Sequence, residues 1–262
     1  MPILAVANRK GGTGKTTVAV NLAAELAARG LQVLLLDLDS QGHCAVGLGL
    51  EVKASDANLH QLFLQRRAKL ANAIRPTAFT NLYLAPADPR LDHSRCAPDP
   101  DRLRQALSPG DLGRHFDLIL IDTPPSLDTL FLNALYAATH VLVPYIPHYL
   151  SLEGVRQLIR ALFPVMSRHN RGLKLLGFVP NQAAAHIRLH RTVTAHIGSE
   201  LGTTRILPAI RADIRFAEAM AAGQPIRVYA PTSRGAEDLD RLAAAVGEAL
   251  GFGSGDPPAA SP

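Results

Sequence analysis

A doubly wound α/β fold, with a mostly parallel sheet flanked by helices, is what this sequence predicts, and three observations carry the prediction. Short apolar runs alternate with helical patterns from residue 3 to residue 250. A glycine-rich run with two lysines, Arg9-Lys10-Gly11-Gly12-Thr13-Gly14-Lys15-Thr16-Thr17, stands directly after the first apolar run. Aspartates close the second and fourth runs, in Asp37-Leu38-Asp39 and Ile121-Asp122. Strands buried on both faces of a parallel sheet read as continuous apolar stretches, and ligands of such sheets sit at the carboxyl ends of the strands.

Taken in order, residues 3–7, 32–38, 82–85, 116–122, 140–143, 173–179 and 205–206 read as buried parallel strands, rich in leucine or β-branched residues. Residues 16–29, 127–138, 152–168, 187–201 and 236–250 have the length and apolar spacing of helices. The stretch 42–100 is weakly patterned, with modest helices expected around residues 59–73. No internal repeat is present. Residues 251–262, rich in Gly, Pro, Ser and Ala, are expected to be disordered. With 47% hydrophobic residues, the chain can bury a full core, and its length fits one large domain over residues 1–250 better than two small ones.

The glycine-rich run points to a phosphate. Glycines let consecutive backbone N–H groups converge on an anion, the following helix turns its positive end to the same spot, and Lys15 adds a charge. Thr16 then offers a hydroxyl to Mg²⁺. The strict P-loop pattern has glycine where this chain has Arg9, but the Gly-Lys-Thr core is intact. Lys10 is the unusual member. Only five lysines occur in the chain, and one beside Lys15 is too near a triphosphate to be idle, yet it cannot duplicate Lys15 on the same phosphate.

Alternation places Asp37 and Asp39 on one side as the chain leaves its second strand, within reach of a γ-phosphate. The apolar run 118–121 capped by Asp122 is the Walker B arrangement, in which the acid holds Mg²⁺ through water or positions Thr16. A loop, then acids at the right strand ends, in this order, predict nucleotide binding.

Net charge is +5, unevenly spread: residues 151–230 hold 11 Lys/Arg against 4 Asp/Glu, and the remainder 16 against 18. That surplus fits either a polyanion-binding face or a solvated arginine-rich surface. Cys44 and Cys96 stand far apart, which suggests packed thiols in a reducing cytoplasm rather than a disulfide framework or a zinc site. Residues 1–7 are too short an apolar stretch for a signal peptide, and no run is long enough to span a membrane. His186 and His190, four apart on a predicted helix, have no acid at ligand spacing and read as surface residues before a metal pair.

Three ordered motifs, Lys10-Gly-Gly-Thr-Gly-Lys15-Thr-Thr, Asp37-Leu-Asp39-Ser-Gln-Gly42 and Ile121-Asp-Thr-Pro-Pro125, resemble the deviant Walker A ATPases of the ParA/MinD class. Ser151-Leu-Glu-Gly154, Phe216-Ala-Glu-Ala219 and Tyr229-Ala-Pro-Thr-Ser-Arg-Gly-Ala236 resemble its ParA, Soj-like branch, so the likeness covers about residues 1–250. It implies an ATP hydrolase with weak intrinsic activity, with Lys10, Lys15 and Asp39 as its catalytic residues. Lys10 would cross an ATP-bound homodimer interface to the partner's phosphates, comparable to an arginine finger. Asp39 would orient the attacking water, with Asp37 in support, and the segment 40–43 would act as a switch. Asp39 also admits a reading as a helix N-cap or turn residue.

By the same resemblance ATP lies on residues 10–17, with adenine held by Asn181 and a loop near Pro208, and Mg²⁺ by Thr16, Asp39 and Asp122. An asparagine amide offers the donor and acceptor that adenine needs, although Asn181 also suits a turn. Nonspecific DNA binding would use basic residues on the dimer face, for which Arg188, Arg191, Arg211 and Arg215 are the candidates. A ParB-like or other adaptor would stimulate hydrolysis, and the protein would be cytoplasmic and nucleoid-associated, positioning a plasmid, a chromosome or a protein assembly. The chain departs from the family at Arg9, Ser40, His43, Cys44 and 147–150, where Pro-His-Tyr-Leu replaces an acidic-aromatic run. Those changes bear on the switch and on partner surfaces.

A MinD-like membrane-associated ATPase would need a C-terminal amphipathic helix, and residues 251–262 hold neither basic residues nor an apolar stripe. An iron–sulfur scaffold would need paired cysteines. A small-molecule ligase on the same fold would need neither Lys10 in trans nor an arginine-rich later region.

Overall fold

The computed structural model describes residues 1–108 and 112–253, without the side chains of residues 113 and 114. Seven strands, β1 (Ile3–Val6), β2 (Val33–Asp37), β3 (Arg75–Pro76), β4 (Leu82–Ala85), β5 (Leu118–Asp122), β6 (His140–Tyr145) and β7 (Lys174–Pro180), form one sheet in the order β3-β4-β2-β5-β1-β6-β7. Every neighbouring pair is parallel except β3 with β4. All residues of β1, β2 and β5 are buried, which is why they read as unbroken apolar runs.

Alternation along these strands feeds two cores. Ile3, Ala5, Leu34, Leu36, Ile119 and Ile121 face one layer, packed with Phe131, Leu135, Leu158 and Val193. Leu4, Val6, Val33, Leu35, Leu118 and Leu120 face the other, packed with Leu22, Leu26, Leu239 and Leu242. The first layer is covered by the helices Thr129–Ala137, Tyr149–Pro164 and Arg188–Leu201, and the second by Lys15–Ala28 and Arg234–Ala249. In β5, Asp122 lies in register with Val6 of β1 and with Asp37 of β2. The three carboxyl ends that carry the sequence motifs therefore lie side by side, and the loop of residues 8–15 continues directly from β1 there.

Departures from the expected elements have local causes. Residues 205–206 do not form a strand: a 3₁₀ turn spans Thr203–Arg205, and Ile206 makes a single parallel bridge to Phe178. Gly202, at φ 104°, turns the chain in, and Pro208 has no N–H with which to continue a ladder. The two-residue β3 ends in Pro76, which only an edge strand tolerates, so it left no pattern to read. The segment 59–73 resolves into the short helix Gln61–Leu64 and a 3₁₀ turn, Leu70–Ala73. The helix expected at 152–168 begins earlier, at Tyr149, and closes at Pro164 into the π-type turn Val165–His169. Arg215–Ala221 and Ile226–Tyr229 are further short helices that four to seven residues of sequence could not announce. Of the segment expected to be disordered, residues 254–262 lie outside the described residues, while Phe252 donates its N–H to Gly247 O at 2.8 Å.

Candidate functional site

The loop is hung from the sheet by Asn8, whose Nδ2 donates to Pro144 O on β6 (2.7 Å) and whose Oδ1 accepts from Lys10 N (3.0 Å). Gly12 (φ 73°) and Gly14 (φ 84°) both hold the left-handed conformation. Gly14 has a second constraint, because a Cβ there would fall 2.1 Å from Asn181 Nδ2. Gly11 and Gly12 are exposed, Thr13 is buried, and the helix Lys15–Ala28 starts at Lys15 with no acid in its first turn, which leaves its N-terminus free for an anion. Lys15 is buried, and burial pulls its ammonium below the ordinary value while Asp122 and Asp39 oppose that pull.

Below Lys15, Thr16 Oγ1 donates to Asp122 Oδ2 at 2.6 Å. Asp122 is fully buried and its Oδ1 has no hydrogen-bond partner. Burial pushes its carboxyl up to about 6, against the Thr16 hydrogen bond and Lys15. Asp37, also fully buried, is pushed well above the carboxylate range by burial and then by Asp122. Two acids in register, with an orphaned oxygen and a threonine hydroxyl alongside, fit a hard divalent cation such as Mg²⁺. Asp37, Cys44 and Asp122 are the one group of three potential metal ligands among the described residues, and His186 is not part of a helical pair, since its helix begins at Arg188.

The acids of the second motif have separate places. Asp37 Oδ2 accepts from Cys44 N (3.1 Å) and Oδ1 from Asp39 N (3.2 Å), so Asp37 braces the turn from beneath rather than reaching outward. Asp39 is half-buried and its Oδ1 accepts from Gln41 N at 3.1 Å, a turn geometry that also leaves its charge close enough to act on Lys15. Beyond it, Ser40 Oγ and His93 Nε2 are 3.0 Å apart, and Gly42 (φ 67°) packs against Pro89. Lys10 is half-buried, with Nζ 3.2 Å from His148 Nε2.

Asn181 lies at the loop: its Nδ2 donates to Thr13 O (2.8 Å) and its N–H to Tyr145 O (2.7 Å). It lines a cavity of about 530 Å³ with Gly14, Thr17, Arg211, Asp213 and Phe216. Pro208 does not line it. Residues 211–214, Phe216 and Ala217 do line it; the sequence offers no sign of their place there beyond the Phe216-Ala-Glu-Ala219 motif.

The four arginines divide. Arg188 and Arg191 are exposed at the start of their helix; Arg191 Nη1 donates to Ala185 O (3.0 Å), and neither has a carboxylate partner among the described residues. Arg215 is paired with Glu218 at 2.6 Å. Arg211 is held by Glu237 (2.6 Å) and by the fully buried Asp238 (2.8 Å), and Asp238 raises its pKa further. It anchors the helix Arg234–Ala249 more than it presents a free charge.

No helix among the described residues is long and apolar enough to cross a membrane. A family model described as an AAA domain matches residues 1–175. The chain is 41% identical over 242 residues to the chromosome-partitioning ATPase Soj of Thermus thermophilus, covering 92% of this chain and 93% of that one. Among solved structures, an ATP complex of a McdA variant from Cyanothece superposes with a TM-score of 0.82 at 27% identity, covering 98% of each chain. The Mg-ADP complex of the septum site-determining protein MinD from Pyrococcus horikoshii gives 0.76 at 27% identity, covering 96% of this chain and 98% of that one.

Proposed function

The chain belongs to the ParA/MinD class of ATPases, in its Soj-like ParA branch, and from that premise we propose an ATP-gated dimer that binds DNA nonspecifically and positions a cargo, released when a partner stimulates hydrolysis. One observation carries the nucleotide half of this reading. Lys15, Thr16 and the orphaned oxygen of Asp122 converge at the end of β5, beneath a loop whose glycines leave N–H groups free for phosphate.

In this reading Lys15 and the amides of residues 11–17 grip the phosphates, and Asn181 lines the cavity for the base. Thr16 and Asp122 would hold Mg²⁺, with Asp39 near it, and the bound ion would supply neutralisation of phosphate charge. Asp39 gives up its turn hydrogen bond to Gln41 and orients water. Lys10 reaches the partner's phosphates, which makes dimerisation depend on ATP. Exposure of Arg188 and Arg191 supports a DNA contact there, and the pairing of Arg211 and Arg215 assigns those two a lesser share. The protein acts in the cytoplasm on the nucleoid, as one domain, with a ParB-like or other adaptor as its stimulator.

Sedimentation with a non-hydrolysable ATP analogue tests the gate. Lys10→Ala is expected to bind the nucleotide and remain monomeric; normal dimerisation by that variant removes the trans role. Asp39→Ala is expected to remain a DNA-bound dimer in ATP, and loss of DNA affinity at saturating ATP would overturn the switch assignment. Four arginine contacts per dimer, from Arg188 and Arg191, correspond to a slope of log affinity on log salt of about −3.6; Arg188→Ala with Arg191→Ala should flatten it.

A further inference from the structure

Lys10 and His148 are brought together by anchored backbone on both sides. Asn8, itself buried, ties Lys10 N to Pro144 O near the end of β6. His148 N donates to Ile146 O (2.8 Å) just past the same strand, and His148 O accepts from Ser151 N (2.8 Å) as the helix Tyr149–Pro164 begins. In that helix Gly154 lies beside Lys10, where even an added Cβ would stand at an ordinary van der Waals distance of 3.9 Å from Lys10 Cβ. Both side chains are half-buried, and their nitrogens stand 3.2 Å apart. An ammonium has donors only, so His148 Nε2 is the acceptor and the neutral ring carries its proton on Nδ1.

We infer that His148 is a positioning residue acting through Lys10: it holds the lysine within its own subunit, and the ATP-bound dimer forms by breaking that contact. The inference rests on the reading of Lys10 as a residue that serves the partner's phosphates. A contact present in the monomer and absent in the dimer opposes association by its own strength. Two such contacts break per dimer, so a roughly threefold effect for each screened hydrogen bond becomes about tenfold in the dimer dissociation constant.

Histidine at this place makes the hold conditional. An acid, as in the run that residues 147–150 replace, would pair with Lys10 over the whole physiological range, whereas a histidine accepts only while neutral. Lys10 from the loop and His190 from the helix Arg188–Leu201 are the titratable neighbours that face it, and Tyr149 beside it is exposed. Burial, Lys10 and His190 hold the ring below its ordinary pKa. Protonation therefore removes the acceptor and sets a cation against Lys10, so falling pH frees the lysine.

The test is the dimer dissociation constant in a non-hydrolysable ATP analogue, measured by sedimentation on the full chain, with thermal melts to confirm folding. His148→Ala should tighten the dimer about tenfold and His148→Glu should weaken it. Wild type should also tighten as pH falls below the ordinary histidine range, and His148→Ala should lose that trend; should His148→Ala not fold, His148→Glu and the wild-type pH profile decide. A weaker or unchanged dimer for His148→Ala, or a tighter one for His148→Glu, overturns the inference. Lys10→Ala separates the two levels. If it dimerises normally, the trans reading fails and this inference with it; if it stays monomeric while the His148 variants match wild type, only the positioning role of His148 falls.

Discussion

Asp122 and Asp238 are both fully buried, yet they sit in opposite electrostatic surroundings. Asp238 accepts from Arg211 N and its guanidinium, and from Arg241. Burial acts to raise its carboxyl, but the hydrogen bonds of Arg211 and Arg241 overcome that and hold it below the usual range. Asp122 faces a second acid, Asp37, in register, keeps one oxygen without a partner, and is raised to about 6. A charge completed from within the chain is structural; a buried charge left incomplete awaits a ligand. The same contrast separates Arg211, whose charge is matched inside the fold, from Arg188 and Arg191, whose charge faces solvent.

Lys15→Ala removes the cation set over Asp122 and should abolish nucleotide binding in equilibrium dialysis while the fold persists in circular dichroism. Asp238→Ala should destabilise the nucleotide-free protein by about 2 kcal/mol in urea melts, less than a wholly buried pair because Arg211 and Arg241 keep access to water. Above pH about 6 Asp122→Asn should act with the opposite sign, stabilising the nucleotide-free protein by about 1 kcal/mol because a carboxylate desolvated by burial is removed, and should erase the thermal shift given by Mg²⁺ with ADP. A melt in which Asp122→Asn destabilises as Asp238→Ala does would erase the distinction.

The smallest effect is the pH dependence. Because the folded pKa of Asp122 lies above its unfolded value, the native state binds the proton more tightly, and the stability held by the protonated form is lost as pH rises from about 4 to about 6. Mg²⁺ takes the ionised form. The thermal shift from Mg²⁺ and ADP should therefore be full above pH about 6 and shrink below it; a shift that stays constant through that range would mean that Asp122 does not serve the ion.

Much of the site was legible because its information is local. Gly12, Gly14 and Lys15 are neighbours in the chain, so their spacing alone defines a phosphate loop, and an apolar run ending in Asp122 defines a strand end. The core strands were legible for the same reason: a segment buried on both faces must be apolar throughout. Short or irregular elements such as β3 and Arg215–Ala221 were not, since too few residues repeat to make a period.

By itself, then, the sequence determined the doubly wound sheet, the phosphate loop and the order of the acids, all of which follow from covalent neighbours and periodicity. Tertiary structure alone decided which charges are matched. Lys10 meets His148 across 138 positions, Asn181 meets Thr13 across 168, and Arg211 meets Asp238 across 27. Such pairings depend on how the helices dock on the sheet, and desolvation there decides whether a given aspartate or arginine is a brace or a binding group. A charge and its countercharge far apart in the chain leave no shared pattern in the sequence.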